Sequence, residues 1–304
     1  MKKLKFLPLL LIIPLLIFPK VVINSAREGL NVWARNILPS LFPFAILSSA
    51  ITMLYAGEKC GKILTKLSGL FRISLYALRC ILIGAVSGYP IGAMTVNQSY
   101  KNGEIEADKL SLYAGMASLC SPMFLIATVG EGMLSNVFSG VMLLVIHYVS
   151  YIAAFAIFSV GRKNTECKVP AAFESQKQSL GAILKASVDK ASSAMISVCG
   201  YVVVFRVILG IIELLPVPHI FRAVTAAILE MSVGCTLVSD AAVMLPIKMS
   251  LISFCTSWGG VCVNLQINSY VVEGTKPMRT VLFKLTHGVI SGIISFAFWS
   301  ICSV

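Results

Sequence analysis

The length, composition and charge of this chain exclude a soluble globular domain. Of its 304 residues, 57% are hydrophobic and 12% are charged, whereas a soluble domain has about twice that charged fraction. The net charge of +12 comes from Lys and Arg residues clustered between apolar runs. This is the positive-inside pattern of a membrane protein, and no basic, aromatic-rich stripe indicates a nucleic-acid partner. The nine cysteines include no CxxC pair, so neither a metal site nor a disulfide framework is expected.

Several apolar runs are long enough to cross a bilayer as helices, which takes about 20 residues. We therefore predict an all-α polytopic membrane protein, with spanning runs at residues 6–24, 37–55, 133–160, 193–214 and 281–304. Residues 1–24 are predicted to form an uncleaved N-terminal transmembrane helix with its first lysines in the cytoplasm. Residues 25–37 are too polar to span, and we expect a short amphipathic helix there, before Pro39 and Pro43 open the next span.

The apolar run over residues 76–97 is interrupted in its middle by Ser87-Gly88-Tyr89-Pro90. The basic loops 56–79 and 161–178 are both expected in the cytoplasm, so an even number of crossings must separate them. Each arm of the interrupted run has about ten residues, which is too few to cross. We therefore predict a re-entrant hairpin that enters and leaves on one side. The alternative is a single helix with a kink at Gly88 and Pro90.

The second half of the chain repeats the order of features in the first half. In chain order it has an amphipathic segment, a spanning run, two interrupted runs and a long final helix, at residues 179–192, 193–214, 221–246, 250–267 and 281–304. The expected interruptions in its two broken runs are Ser232-Val233-Gly234 and Trp258-Gly259-Gly260. The latter corresponds to Cys120-Ser121-Pro122 in the first half.

Each half is predicted to cross the membrane three times, which makes the second copy an inverted repeat of the first. The inversion places Lys276, Arg279 and Lys284 in the cytoplasm, as the positive-inside rule requires, and the C-terminus outside. The predicted units are the N-terminal helix, the first repeat, a cytoplasmic loop and the inverted second repeat, at residues 1–24, 25–160, 161–178 and 179–304.

Two inverted halves with interrupted helices are typical of a secondary transporter, which binds its substrate where the helices break. Half-helix N-termini at a break carry partial positive charge, and freed backbone groups supply ligands. The predicted substrate-binding residues at and beside the breaks are Ser87, Gly88, Tyr89, Pro90, Ser118, Ser121, Ser232, Gly234, Ser257, Gly259, Gly260, Asn264 and Gln266. The serines have an alternative role as helix caps. Asn264 and Gln266 point to different helix faces, so one of the two is expected to reach the cavity.

Ionisable residues deep in apolar runs are costly and usually have a function or a partner. Arg206 could face an anionic substrate, pair with Glu230 or reach the membrane interface. Glu230 could bind a coupling proton or sodium ion, pair with Arg206 or act as a cap. Asp240 could cap the second arm of its hairpin or bind a ligand. His147 is expected to pack within the bundle rather than to shuttle protons.

Four motifs resemble YlbJ-type sporulation integral membrane proteins, which carry the Gate, or nucleoside-recognition, domain. They are NILPSLFPFAI (36–46), SGYPIGA (87–93), LEMSVG (229–234) and WGGVCVNLQ (258–266). The resemblance runs from about residue 28 to the C-terminus, and the architecture is similar to the core of concentrative nucleoside transporters. It implies a multi-pass protein of the bacterial cell membrane, in the mother-cell-derived membrane during sporulation. It also implies transport of dipicolinic acid from the mother cell towards the forespore.

The leading functional hypothesis is therefore a secondary transporter or gated facilitator for a small anionic or heterocyclic metabolite. The alternatives are a nucleoside transporter and a non-transporting membrane scaffold for spore-envelope assembly. No nucleophile–base pair or H-E-x-x-H motif indicates an enzyme. The expected partners are the lipid bilayer and a small-molecule substrate, with no cofactor or metal. The coupling ion (H⁺ or Na⁺) and a homo-oligomer are left open.

Overall fold

The fold consists of helices joined by short turns. The structure is a computed structural model that describes residues 7–55, 61–159, 179–271 and 275–302, with no strand in these ranges. The predicted cytoplasmic loop 161–178 lies outside the described residues. In chain order the helices are α1 Leu7–Ile17, α2 Pro19–Leu54, α3 Lys62–Phe71, α4 Leu75–Ser87, α5 Ile91–Lys101, α6 Ala107–Met116, α7 Phe124–Met133, α8 Val137–Ser159, α9 Leu180–Ile212, α10 His219–Leu229, α11 Met231–Asp240, α12 Leu245–Trp258, α13 Gly260–Ser269 and α14 Met278–Cys302.

Four of the described helices, α2, α8, α9 and α14, are long and apolar enough to cross a bilayer. A fifth span is reached if α3 and α4, which are bent by 98° relative to each other, count as one. The prediction of an all-α, multi-pass membrane protein is confirmed. The hairpins and broken helices, α4 to α7 and α10 to α13, are shorter and contribute many of the buried core residues.

The N-terminal region differs from the prediction of one transmembrane helix over residues 1–24. Helix α1 has 11 residues, about 16 Å of helix, which is half of the roughly 30 Å that a span needs. The chain leaves the helix at Phe18, and Pro19 begins α2, where a proline is favoured because the first helical position needs no N–H donor. The long N-terminal span therefore starts at Pro19.

Helix α2 runs unbroken through the predicted boundary between an amphipathic segment and a span near residue 37. A π-helical turn at Trp33–Ile37 joins its two α-helical parts, so that the Leu38 amide donates to the Trp33 carbonyl. The Ser40 hydroxyl donates to the Asn36 carbonyl at 2.6 Å. Local π geometry and a serine hydroxyl are the means by which a helix in lipid continues past prolines. Helix α9 is likewise continuous, because its sequence has no Gly or Pro at the predicted boundary near residue 192.

Helices α4 and α5 form the first hairpin, as predicted from SGYP. A Cβ built on Gly84 would lie 3.1 Å from the Gly92 Cα, and Cys80 Sγ lies 3.4 Å from Ser99 Oγ. These pairs flank the turn at residues 88–90 symmetrically, so the two arms run side by side. In a single helix, residues 84 and 92 would lie about 12 Å apart along the axis. The alternative of one kinked helix is therefore wrong.

Helices α10 and α11 form the second hairpin, but its turn is at Glu230 and not at the predicted Ser232-Val233-Gly234. Glu230 has extended backbone (φ −141°, ψ 121°). Its carboxylate accepts hydrogen bonds from the Ser232 amide (3.1 Å) and the Val233 amide (2.8 Å), which begins α11 with an N-cap. Gly234 lies inside α11, where a Cβ would come within 2.4 Å of the Ala227 Cα. This glycine allows the arms to pack closely and does not break the helix.

The two predicted helix breaks between α6 and α7 and between α12 and α13 are confirmed. The first extends over residues 117–121 and precedes Pro122. The second is a sharp turn in which Gly259 and Gly260 have φ values of +79° and +76°, a region that glycine enters without steric cost. Asn264 Nδ2 donates to the Trp258 carbonyl (3.1 Å) and the Gly260 carbonyl (2.8 Å), which satisfies backbone groups freed by the turn.

The order of elements repeats along the chain: a long helix, a hairpin, a broken helix and a second long helix. Equivalent long helices contact each other and run antiparallel. In α2 and α9, Ser25 lies against Gly210, whereas Trp33 Nε1 donates to the Met195 carbonyl at 3.0 Å. Helices α8 and α14 also run antiparallel. An inverted repeat requires this antiparallel arrangement, and the inversion itself stays a prediction.

Candidate functional site

The two hairpin tips meet in the interior of the bundle. The Tyr89 hydroxyl of the first tip donates a hydrogen bond to Met231 Sδ of the second. The first tip also packs on the first helix break, because a Cβ on Gly88 would lie 2.9 Å from the Ser121 Cβ. Two hairpin tips and at least one helix break are thus brought to one place, as a shared binding site requires.

The first helix break is held between the arms of the first hairpin. A Cβ built on either Gly84 or Gly92 would lie 1.7 Å from the Ala117 carbonyl oxygen, well inside the contact distance of two atoms. Only glycine at both positions leaves room for this carbonyl. Gly84 and Gly92 therefore fix the position of the break loop 117–121.

The second hairpin packs on the second helix break. Trp258 Nε1 donates a hydrogen bond to the Ile228 carbonyl at 3.0 Å. A Cβ on Gly260 would lie 2.8 Å from the Leu229 carbonyl oxygen, so close approach as well as the positive φ requires glycine there. Both breaks and both tips consequently surround the same central volume.

A cavity of about 30 Å³, here called the tip cavity, lies where the tips and the breaks meet. The predicted binding residues in its wall are Tyr89, Ser121, Glu230, Ser232 and Gln266. Apolar side chains of α2 and α9 close the other side, together with Ser40. A cavity of this size holds about one or two water molecules. A metabolite can therefore bind there only after the tips have separated.

The other predicted binding residues build the turns around the tip cavity rather than its wall. Ser118 Oγ donates to the Ala114 carbonyl at 2.7 Å, and the Ser87 hydroxyl bonds the Ser48 hydroxyl. Ser121 lines the cavity and also accepts from the Phe124 amide at 3.2 Å, as a cap does. The predicted residues outside the wall are Ser87, Gly88, Pro90, Ser118, Arg206, Gly234, Ser257, Gly259, Gly260 and Asn264.

Arg206, Glu230 and Asp240, the ionisable residues singled out in the sequence, lie in three different environments. Arg206 pairs with Glu213 (Nη1 to Oε1, 3.2 Å) and with Glu28, so the alternative in which it pairs with Glu230 is wrong. Its position outside the wall of the tip cavity also disagrees with a substrate-facing role. Glu230 instead caps α11, and Asp240 is the exposed last residue of that helix.

We expect the Arg206→Gln variant to lose stability and to keep its transport activity. The Arg206 side chain is 13% exposed, and those of Glu213 and Glu28 are 29% and 56% exposed. The change leaves two carboxylates without their shared cation, at a cost of about 1–2 kcal/mol, between the values for surface and buried pairs. Thermal unfolding of the purified protein measures this loss, and Arg206→Gln/Glu213→Gln should recover part of it. A large loss of flux at unchanged stability would contradict the structural assignment.

Lys284 is predicted from the sequence to lie in the cytoplasm, but in the structure it is fully buried. Its Nζ donates to the Ser118 carbonyl at 2.8 Å and lies 5.2 Å from the ring centroid of Tyr89, a cation–π distance. Lys284 thus contacts the first break and the first hairpin tip from behind the wall of the tip cavity.

Two buried histidines extend this polar cluster between the breaks. His147 Nε2 accepts a hydrogen bond from the Cys120 amide at 3.1 Å, so its proton is on Nδ1, which donates to Ser257 Oγ at 2.9 Å. His287 Nε2 donates to the His147 carbonyl at 3.0 Å. His147 therefore links the first break to the helix that leads to the second break. The sequence contains a signal for the part of this cluster on α14, because polar residues recur every three or four positions from Lys284 on one face of that helix.

Two larger cavities flank the tip cavity, and α2 lines all three. The arginine cavity, named for Arg35, has a volume of about 450 Å³ and includes Ser40 in its wall. The lysine cavity, named for Lys101 and Lys190, has a volume of about 220 Å³ and includes Ser49. The α2 residues in these walls recur at helical spacing, so they share one face of the helix. That face passes the arginine cavity, the tip cavity and the lysine cavity in turn.

Comparison with known proteins gives one curated relative. The sporulation integral membrane protein YlbJ of Bacillus subtilis (strain 168) is 24% identical over an alignment 319 residues long, and the alignment covers 92% of this chain and 78% of that protein. No protein-family model matches the chain, and no solved structure matches it. The Gate domain and the similarity to concentrative nucleoside transporters therefore stay predictions. The resemblance to YlbJ-type sporulation integral membrane proteins is confirmed, and the chain is a multi-pass membrane protein similar to one of them over nearly its whole length.

Proposed function

We propose that this chain is a secondary transporter or gated facilitator for a small anionic or heterocyclic metabolite, and not an enzyme. The observation that carries the proposal is the meeting of two hairpin tips and two helix breaks around one small cavity between long helices. Discontinuous helices near the middle of a bundle are the usual binding elements of secondary transporters. Dipicolinic acid, moved from the mother cell towards the forespore, is the first substrate to test. The relative's name places that protein in sporulation.

Charge around the tip cavity supports an anionic substrate. The second half of each hairpin or broken helix begins at Ile91, Phe124, Met231 or Gly260. Phe124 and Met231 lie in the wall of the tip cavity, and helix N-termini favour negative charge. Lys284 lies directly behind Tyr89. The two flanking cavities contribute Arg35, Lys101 and Lys190, and in the part of the chain that the structure describes no acidic residue lies in their walls. An anion would meet favourable charge on both approaches to the tips.

The test is flux through the purified full-length protein in liposomes, with radiolabelled dipicolinate and with proton or sodium gradients in either direction. Protein-mediated, saturable dipicolinate flux above that of protein-free liposomes supports the proposal. The membrane-scaffold hypothesis predicts no flux of any solute under every gradient. That result, obtained with well-folded protein, would overturn the transport proposal.

Glu230 is the residue that we propose for proton coupling. It is the acidic residue in the wall of the tip cavity, where its negative charge would repel an anionic substrate, and a bound proton would remove this repulsion. We expect Glu230→Gln to transport dipicolinate without stimulation by a pH gradient. Flux at several imposed gradients measures this, with Asp108→Asn as a control because Asp108 is exposed and outside the wall of the tip cavity. Unchanged stimulation in Glu230→Gln would exclude Glu230 as the coupling site.

A neutral nucleoside is the second candidate substrate. Among residues 7–55, 61–159, 179–271 and 275–302, no Lys, Arg or His lies in the wall of the tip cavity. The polar side chains that a neutral molecule would meet there carry hydroxyl, thiol, amide and carboxylate groups. Uridine flux in the same liposomes distinguishes the two substrates. Uridine flux that exceeds dipicolinate flux at equal concentration would favour the nucleoside transporter.

A further inference from the structure

The lysine cavity lies between α2, α5 and α9, apart from the hairpin tips. Its volume is about 220 Å³, and its wall includes hydroxyl and amide groups from Ser49, Thr52, Thr95, Asn97 and Gln98. Lys101 and Lys190 complete its polar surface from two different helices. This combination of a cavity, neutral hydrogen-bonding groups and two cations is typical of a site for a small anion.

Lys190 is positioned by its neighbours. Its Nζ donates to Gln98 Oε1 at 3.2 Å, and Gln98 Nε2 in turn donates to Asn102 Oδ1 at 2.9 Å. An ammonium group has three donors, so the bond to Gln98 leaves two for a ligand. The chain of side-chain hydrogen bonds along α5 thus holds Lys190 at the cavity without neutralising it.

Two cations that share a cavity repel each other unless a negative charge lies between them. None of the described residues in its wall is acidic. Glu104, which follows α5, is paired with Arg79 at 3.0 Å, and neither residue is among the described residues of the cavity wall. At this partly buried site the repulsion is less screened than in water. A ligand with two negative charges would remove it and gain a charge-assisted hydrogen bond to each lysine.

We infer that the lysine cavity is a binding site for a small dianion such as a dicarboxylate, held between Lys101 and Lys190. The inference deepens the proposed transport function. The role of the lysine cavity, as a site that a substrate occupies before it reaches the hairpin tips, rests on that proposed function. Binding itself does not require transport. Under the predicted topology the cavity opens towards the cytoplasm, because it lies near the C-terminal end of α2 and the N-terminal part of α9.

The inference is tested by equilibrium binding to the purified full-length protein in nanodiscs. The probes are dipicolinate and succinate as dianions, benzoate as a monoanion and uridine as a neutral molecule. We expect Lys101→Gln and Lys190→Gln each to weaken dianion binding at least tenfold, and added salt to weaken it in the wild type. Lys185→Gln is the matched control, since Lys185 is exposed on the same helix and outside the cavity wall, and its affinity should stay within about twofold of wild type.

The outcomes separate this site from the transport proposal. If neither dianion binds saturably, or if both lysine variants bind as tightly as the wild type, the inference is overturned and transport can still stand. If the lysine variants lose binding while no gradient drives flux, the site stands and transport falls. Lys101 is exposed at the cavity rim, so its variant should fold even if the Lys190 variant does not.

Discussion

Replacing Gly92 with alanine is expected to destabilise the protein by about 3 kcal/mol or more, the upper end of the cost of overpacking. The added methyl group would lie 1.7 Å from the Ala117 carbonyl oxygen and 2.5 Å from its carbon. Both atoms belong to backbone, which cannot rotate away as a side chain can. Moving that backbone would also displace Ser118, whose carbonyl accepts the Lys284 hydrogen bond.

Thermal unfolding and size-exclusion profiles of the purified variant measure this effect. Gly200→Ala is the matched control, because a Cβ at Gly200, inside α9, has no atom within 4 Å. Alanine favours a helix over glycine by up to about 1 kcal/mol, so the control should be as stable as wild type or slightly more stable. A Gly92→Ala protein with wild-type stability would show that the first hairpin does not hold the break loop as described.

Replacing Lys284 with methionine is expected to reduce flux at least tenfold in a protein that still inserts. The variant keeps the length of the side chain but leaves the Ser118 carbonyl without the donor that lies 2.8 Å away. A buried carbonyl without a partner costs about 1–3 kcal/mol, and the break loop would shift to find another donor. That loop supplies Cys120 and Ser121 to the wall of the tip cavity.

Two measurements separate a shifted loop from general unfolding. Thermal stability reports on the fold, with Lys185→Met as an exposed control. In a protein whose other cysteines are replaced, the labelling rate of Cys120 reports on the loop, since Cys120 is almost fully buried. We expect Lys284→Met to raise that rate severalfold. Full flux and unchanged Cys120 labelling in the variant would show that Lys284 does not anchor the break.

The parts of the fold that the sequence predicted correctly depend on local chemistry. Gly88, Pro90 and Gly259 lie in breaks because these residue types tolerate or impose backbone that a helix excludes. Helices α8 and α14 follow from apolar length alone, whereas α2 and α9 continue past the boundaries predicted near residues 37 and 192. Helix-breaking residues and long apolar runs were therefore enough to predict that each half has a hairpin followed by a broken helix.

The errors came from residues whose roles depend on distant parts of the chain. Gly234 looks like a helix breaker, but it is the contact point for Ala227 on the other arm. Arg206 is seven residues from Glu213 and far in sequence from Glu28, so its pairing depends on how α2 packs beside α9. Lys284 lies near basic neighbours in sequence, and only the packing of α14 buries it. A local pattern marks the polar face of α14 that begins at Lys284, but no local pattern specifies the partners of these three residues.

The continuity of α2 has a mechanical consequence. The helix has 36 residues, about 54 Å at 1.5 Å per residue, and Ser40 lies near its middle, beside both the tip cavity and the arginine cavity. If α2 tilted by about 10° around Ser40, its ends would move by about 4–5 Å in opposite directions. The helix would pivot at Ser40, and this motion would close one flanking cavity while it opened the other. Access from the two sides would then be mutually exclusive without two separate gates.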